Sequence, residues 1–201
     1  MVTGHFISIE GGDGAGKTTQ ITLLADYIAS TGREVVVTRE PGGTPLGQQI
    51  RQALLHGEDL SARTEALLYS ADRAHHAATV IRPALDRGAT VITDRFIDSS
   101  VAYQGAARAL GVDEIRELNN WAVNGLKPEL TILLDLDPVI GAARVGTEKD
   151  RLESAGDAFH QRVRQTFLSM ADAEPERFTV IDASGQIAAI AAEIRAAYER
   201  L

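Results

Sequence analysis

The chain has 201 residues, 44% of them hydrophobic and 24% charged, which is an ordinary composition for one globular domain with its own core. It contains no cysteine, which excludes disulfides and thiolate metal sites, and no apolar run approaches the ~20 residues that span a bilayer. The formal net charge of −8 argues against a nucleic-acid partner, so a polyanionic ligand must be attracted by a local basic cluster or a metal ion.

The amino terminus, Met-Val-Thr-Gly-His, leads directly into a strand-like run, so we expect no signal peptide, no membrane partner and a cytoplasmic protein. Strand-like and helix-like segments then alternate, which is typical of βαβ units that build a parallel sheet with helices on both faces. The five predicted strands are His5–Glu10, Glu34–Thr38, Thr90–Thr93, Leu130–Asp135 and Phe178–Asp182.

The predicted helices lie between these strands and after the last of them. They are Lys17–Thr31, Leu46–His56, Ser61–Arg87, about 97–107, about 112–124, Pro138–Arg144, Asp157–Asp172 and Ile187–Leu201. Pro83 predicts a kink near the end of the third helix. The polar stretch 145–156 can bury little apolar surface, so we expect a mobile lid within a single domain spanning residues 1–201.

The first strand-to-helix turn has the clearest chemical pattern. Gly11-x-x-x-x-Gly16-Lys17-Thr18 is the phosphate-binding loop (P-loop) signature, and it predicts the P-loop NTPase fold. Its backbone N–H groups form an anion nest at a helix N-terminus, where Lys17 would bridge the β- and γ-phosphates and Thr18 would meet Mg²⁺. The predicted ATP-binding residues are Gly11, Gly12, Asp13, Gly14, Ala15, Gly16, Lys17, Thr18 and Thr19.

Charged residues are also concentrated where the predicted strands end. In an open α/β sheet, ligands lie beyond the carboxyl ends of the strands. This rule selects Asp13 after the first strand, Arg39 and Glu40 after the second, and Asp94 and Arg95 after the third. We expect Asp94 to contact Mg²⁺ directly or through water, and Arg95 to fork across two phosphate oxygens.

The P-loop alone does not distinguish the families of P-loop proteins. The Asn-Lys-x-Asp motif that reads guanine in GTPases does not occur, and four further stretches indicate which family the chain resembles. They are Thr38–Thr44 (TREPGGT), Tyr69–Arg73 (YSADR), Asp94–Gln104 (DRFIDSSVAYQ, followed by Gly105) and Asp150–Glu153 (DRLE). In order and spacing, the chain resembles the bacterial thymidylate kinase family over nearly its whole length. The resemblance implies phosphoryl transfer from ATP to dTMP, giving dTDP for dTTP synthesis, by a Mg²⁺-dependent homodimer.

Two helix faces are predicted to hold the acceptor base. Tyr69 and Arg73 stand four residues apart and share one face, where a flat ring and a planar donor fork form a plausible base platform. Ser100, Tyr103 and Gln104 share another. The resemblance implies that Tyr69 stacks on thymine, that Arg73 donates to its O4, that Ser100 and Gln104 read the base edge, and that Tyr103 lies under the sugar.

The resemblance also implies roles near the phosphates. Arg95 would lie between the donor and acceptor phosphates, and Asp13 would lie near the acceptor phosphate and the metal. Three other residues, Arg39, Glu40 and Arg51, would surround the acceptor nucleotide.

The lid has few basic residues, namely Lys149 and Arg151, with Arg144 just before it. We expect Arg151 to close over the transferring phosphoryl group as an arginine finger, with Lys149 assisting and Glu153 as an indirect Mg²⁺ partner. The predicted catalytic residues are therefore Lys17, Arg95, Arg151 and Asp13, and the predicted metal-site residues are Thr18, Asp13, Asp94 and Glu153.

Alternative functions stay open at this point. Another deoxynucleoside or nucleoside monophosphate kinase on the same fold would share most of these features, and so would a non-catalytic nucleotide-binding switch. Among the remaining residues, we expect His75 and His76 to lie on a solvated helix face. Trp121 is expected in the core or at a subunit contact.

Overall fold

The computed structural model describes residues 4–145, 151–152 and 154–201. Its sheet has five parallel strands in the order β2-β3-β1-β4-β5, which confirms the predicted fold class. The strands are β1 (Phe6–Gly11), β2 (Val35–Arg39), β3 (Thr90–Asp94), β4 (Leu130–Asp135) and β5 (Phe178–Asp182). The three central strands are buried almost throughout, as expected for a parallel sheet covered on both faces.

Helices cover both faces of this sheet and enclose two apolar clusters. On one face, α1 and α9 pack through Ile21, Leu24, Ile28, Ile190 and Ile194. The helices are α1 (Lys17–Ser30), α2 (Pro45–His56), α3 (Ala62–His76), α4 (Arg82–Asp86), α5 (Ile97–Ser100), α6 (Val112–Ala122), α7 (Pro138–Arg144), α8 (Asp157–Ala173) and α9 (Ile187–Tyr198). Within the described ranges, no helix combines the length and apolar character that crossing a membrane requires.

The strand register places the chemistry-bearing residues at one edge of the sheet. Ile9 and Arg39 both pair with Asp94, and Gly11 pairs with Leu134. The carboxyl ends of β2 and β3 are therefore level, β1 runs two residues further, and the side chains that follow all three lie at the same edge of the sheet.

Two π-helical turns interrupt segments that were predicted as regular helices. Ala77–Ile81 separates α3 from α4, so the predicted helix Ser61–Arg87 is divided just before Pro83. Proline has no N–H to donate, and its ring crowds the preceding turn, which a widened turn relieves. The second wide turn, Val101–Ala107, continues α5 and contains Tyr103 and Gln104.

Candidate functional site

The P-loop follows β1 and ends where α1 begins. Gly14 has φ +76°, and a Cβ built on it would stand 2.3 Å from the backbone oxygen of Gly141, so only glycine fits there. Lys17 Nζ donates to the carbonyl oxygens of Gly11 (3.2 Å) and Gly12 (2.9 Å). Burial and the nearby Arg95 lower the pKa of Lys17 below its ordinary value. The loop therefore holds a buried ammonium beside a helix N-terminus.

A cleft of about 520 Å³ opens beyond the carboxyl ends of the strands. It lies between the P-loop, the ends of β2 and β3, α3, α5 with its π-helical turn, and the end of α7. Most of the sequence-predicted site residues line it: Asp13, Gly14, Gly16, Lys17, Thr18, Thr19, Arg39, Glu40, Arg51, Tyr69, Arg73, Asp94, Arg95, Ser100, Tyr103 and Gln104.

Arg95 stands where the P-loop side of the cleft meets the α5 side. Its backbone has φ +69°, an uncommon conformation for a residue with a side chain and one that recurs at functional sites. Its guanidinium donates to Asp13 Oδ1 (2.7 Å) and Ser99 Oγ (3.1 Å) and lies 5.1 Å from the centre of the Tyr103 ring. These contacts hold the positively charged guanidinium of Arg95 beside the P-loop.

Asp13 is a half-buried carboxylate beside two cations, with 28% of its side chain exposed. Burial acts to raise its pKa, but Arg95 and Lys17 outweigh burial and hold the pKa of Asp13 below its ordinary value. Asp13 is therefore ionised at neutral pH, so the P-loop presents a negative charge between its own Lys17 and Arg95, which follows β3.

Asp94, at the end of β3, has an unused oxygen in the same cleft. Its Oδ1 is buried and has no hydrogen-bond partner among residues 4–145, 151–152 and 154–201. Buried polar atoms are rarely left unsatisfied, and a carboxylate oxygen is the ligand that Mg²⁺ prefers. The described part of the chain contains no group of three or more His, Asp or Glu side chains that could hold a metal. A Mg²⁺ ion here would therefore take most of its ligands from phosphates and water.

On the α3 side of the cleft, a charge network lies fully buried. Arg73 donates from Nε to Glu40 Oε2 (2.6 Å), from NH1 to Ser100 Oγ (2.9 Å) and to Asn119 Oδ1, and from NH2 to the carbonyl of Phe96 (3.1 Å). Its exposed fraction is only 1%. A guanidinium held by this many acceptors has one orientation, which a base platform requires.

His76 belongs to this network, so the expectation that it lies on a solvated face was wrong. It is completely buried, with Nδ1 2.8 Å from Glu40 Oε1 and Nε2 2.6 Å from Thr38 Oγ1. Its position three residues after Arg73 puts both on one helix face, and this spacing was the available signal. Trp121, by contrast, is 82% exposed and so lies outside the core.

A family model described as Thymidylate kinase matches residues 9–194 of the chain. The chain belongs to the thymidylate kinase family. It is 58% identical to the thymidylate kinase of Clavibacter sepedonicus over 199 residues, covering 97% of this chain and 94% of the relative. It is 55% identical to that of Bifidobacterium longum over the full length of both chains.

A solved structure shares the fold as well. The crystal structure of thymidylate kinase from Ehrlichia chaffeensis matches with a TM-score of 0.83 at 33% identity, covering 98% of this chain and 99% of that one. The sequence-based assignment to this family of enzymes is therefore confirmed.

Arg151 belongs to the segment predicted as a lid, and it contacts residues of α2 and α3. Its Nε donates to the carbonyl of Leu54 (2.9 Å), and its NH1 pairs with Glu65 Oε2 (2.8 Å). Arg144 lines the cleft instead and donates to the carbonyls of Gly14 (3.3 Å) and Ala183 (3.2 Å). An arginine-finger role for Arg151 stays a prediction that requires it to leave these partners. Lys149 and Glu153 lie outside the described residues.

Glu10 is a site residue that sequence reasoning missed. It is fully buried in β1 and accepts hydrogen bonds from the backbone N–H of Phe96 (2.7 Å) and the hydroxyls of Ser8 (2.8 Å) and Ser99 (2.6 Å). It therefore supports the segment that carries Arg95. Burial, and then the neighbouring Asp98, raise the pKa of Glu10 to about 7.

We expect this raised pKa to make stability fall with rising pH. Glu10 favours the folded state fully below its ordinary value of 4.5, and this contribution is lost as the pH rises through about 7. Relative to a Glu10→Gln variant, the wild-type chain should lose up to about 3 kcal/mol of unfolding free energy between pH 5 and 8. Urea unfolding of both chains across this range measures the difference. Asp113→Asn, at an exposed position, is the control, and its unfolding free energy should change with pH as that of the wild-type chain does. If the curve for Glu10→Gln also ran parallel to the wild-type curve, the raised pKa of Glu10 would be refuted.

Proposed function

We propose that the chain transfers the γ-phosphoryl group of ATP to dTMP and so produces dTDP for dTTP synthesis. The observation that carries the proposal is the position of Arg95. Its guanidinium contacts Asp13 in the P-loop on one side and Ser99 and Tyr103 on the other, within one cleft. The names of the relatives support the choice of dTMP as the acceptor.

The donor half of the site is the P-loop. Residues Gly11–Thr19 hold the phosphates of ATP through backbone N–H groups, and Lys17 bridges the β- and γ-phosphates. Thr18, Asp13 and Asp94 would hold Mg²⁺, directly or through water, and the unpartnered Asp94 Oδ1 in the same cleft supports this assignment. The cation supplies charge neutralisation at the phosphate oxygens. Glu153 is proposed as an indirect partner.

The acceptor half is the buried wall opposite. Tyr69 would stack on thymine, and Arg73, immobilised by its partners, would donate to O4. Ser100 and Gln104 would read the base edge, while the Tyr103 ring would leave little room for a 2′-hydroxyl. Arg39 and Arg51 add positive charge for the acceptor phosphate, and Glu40 acts indirectly by holding Arg73.

The chemistry needs alignment rather than a general base, because the phosphate oxygens of dTMP are already ionised near neutral pH. Arg95 offsets the repulsion between the two nucleotide anions and aligns them. Arg151 would add charge and exclude water if the lid brings it to the phosphates, and water exclusion limits ATP hydrolysis.

An acceptor screen tests the proposal directly. With ATP and Mg²⁺, coupled ADP release should be fast with dTMP, and slower by tenfold or more with dCMP or dGMP, because a mispaired buried polar group costs about 1–3 kcal/mol. Phosphorylation of thymidine but not of dTMP would indicate a deoxynucleoside kinase. ATP binding with no acceptor-dependent ADP release would indicate a nucleotide-binding switch. Equal turnover of all the monophosphates would refute the base assignments.

We also propose that the whole chain forms one kinase domain and works as a cytoplasmic homodimer. Trp121 on α6 and Leu67 on α3 are large apolar side chains exposed on two helices that are joined by the Ser70–Asn119 hydrogen bond, and such exposure is typical of an interface. The proposal requires a light-scattering mass twice that of one chain.

A further inference from the structure

Glu65, in the first turn of α3, is completely buried, which is unusual for a carboxylate. Its Oε1 accepts from Gln104 Nε2 (2.9 Å), and its Oε2 pairs with Arg151 NH1 (2.8 Å). Arg108 adds contacts of 3.3 and 3.2 Å to the two oxygens. The carboxylate therefore joins the segment that carries Gln104 to Arg151.

The contact with Gln104 settles which way its amide points. A carboxylate only accepts hydrogen bonds, so it must face the NH₂ group of the amide and not its oxygen. The remaining polar atom of Gln104, on a side chain that lines the cleft, is then the acceptor Oε1. An amide acceptor matches the N3–H donor of thymine or uracil, whereas N3 of cytosine is itself an acceptor.

We propose that Glu65 is a positioning residue that sets acceptor selectivity by orienting the amide of Gln104 toward pyrimidines with an N3–H. The inference rests on the proposed function and adds a determinant of its specificity. Glu65 contacts neither nucleotide in this scheme; it acts through Gln104.

Glu65→Gln tests this because a neutral amide can face either end of the Gln104 amide. The ratio of kcat/KM for dCMP to that for dTMP should rise about tenfold, since both orientations become available. The selectivity between dUMP and dTMP should stay unchanged, because both bases carry the N3–H. The KM for ATP should also stay unchanged. The matched control is Arg108→Ala, which removes another Glu65 partner and should leave the dCMP/dTMP ratio as it is.

Two further variants separate positioning from a merely structural role. In a Gln104→Ala background, adding Glu65→Gln should change the dCMP/dTMP ratio no further, because the residue through which Glu65 acts is gone. Glu65→Asp keeps an acceptor-only carboxylate and should retain selectivity even where kcat falls. If Glu65→Gln does not fold, the retained selectivity of Glu65→Asp still tests the proposal.

If Glu65→Gln lowered kcat/KM equally for dTMP and dCMP, the inference would be overturned. A further change of the dCMP/dTMP ratio on adding Glu65→Gln to Gln104→Ala would also overturn it. These outcomes leave the proposed function intact if the wild-type chain phosphorylates dTMP. A wild-type chain inactive on dTMP would instead refute the proposed function itself.

Discussion

Arg95→Ala is expected to lower kcat for dTMP phosphorylation by about 10³-fold, the size of effect seen when a charge-stabilising arginine is lost in phosphoryl transfer. The Arg95 side chain lies between Asp13 and Tyr103, and its substitution removes the cation that aligns two mutually repelling anions. The Kd for ATP should change only a few-fold, because the P-loop backbone and Lys17 remain. Steady-state kinetics with dTMP and titration with a non-hydrolysable ATP analogue measure the two effects.

The matched control is Arg116→Ala on α6, which removes an arginine from an exposed pair with Asp113. This variant should keep wild-type kinetics, since exposed pairs contribute little. If Arg95→Ala retained more than a tenth of the wild-type kcat, Arg95 would not be the bridge between the two nucleotides.

Glu40→Gln should destabilise the fold by about 3–5 kcal/mol. Glu40 is the carboxylate partner of Arg73 and also contacts His76, and all three side chains are buried. Replacing it with a neutral amide leaves the guanidinium of Arg73 as a buried charge without its counter-charge. Urea or thermal unfolding measures the loss, and dTMP binding should weaken with it because Arg73 loses its fixed orientation.

Glu34→Gln is the comparison for this prediction. Glu34 pairs with Arg87 at the surface, where about half of each side chain is exposed, 53% and 48% respectively. Its loss should cost less than about 1 kcal/mol. Equal destabilisation by Glu40→Gln and Glu34→Gln would show that burial of the Glu40–Arg73 pair has no energetic consequence.

The elements closest to expectation are those with strong local signals. Leu130–Asp135, Phe178–Asp182 and Pro138–Arg144 were predicted with the bounds that the structure shows. Apolar runs bounded by polar residues, or a proline that opens a helix, need no distant partner to be recognised. The P-loop was equally clear, because its spacing alone encodes a turn that only glycine can make.

The π-helical turns, the conformation of Arg95 and the burial of His76 were not foreseeable in this way. The first depends on competition between helix geometry and packing, as near Pro83. Arg95, with φ +69°, lies in the turn between β3 and α5, where its side chain meets Asp13 from the P-loop. His76, at the end of α3, is buried because Glu40, which follows β2 and is distant in sequence, lies beside it in the fold. Similarly, Asn119 reaches Arg73 from α6, 46 residues further along the chain.

Local pattern was therefore sufficient for the strands and the phosphate cradle, which are encoded within a few neighbouring positions, whereas most of the residues around the acceptor side of the cleft were selected by the resemblance to the family. The pairing of donors with acceptors was decided only in the folded chain, where α3, the β3–α5 segment, α6 and Arg151 meet. Buried charges must find partners wherever the backbone brings them, and those partners are far apart in sequence. Glu65, with Gln104 on one side and Arg151 on the other, is the clearest case.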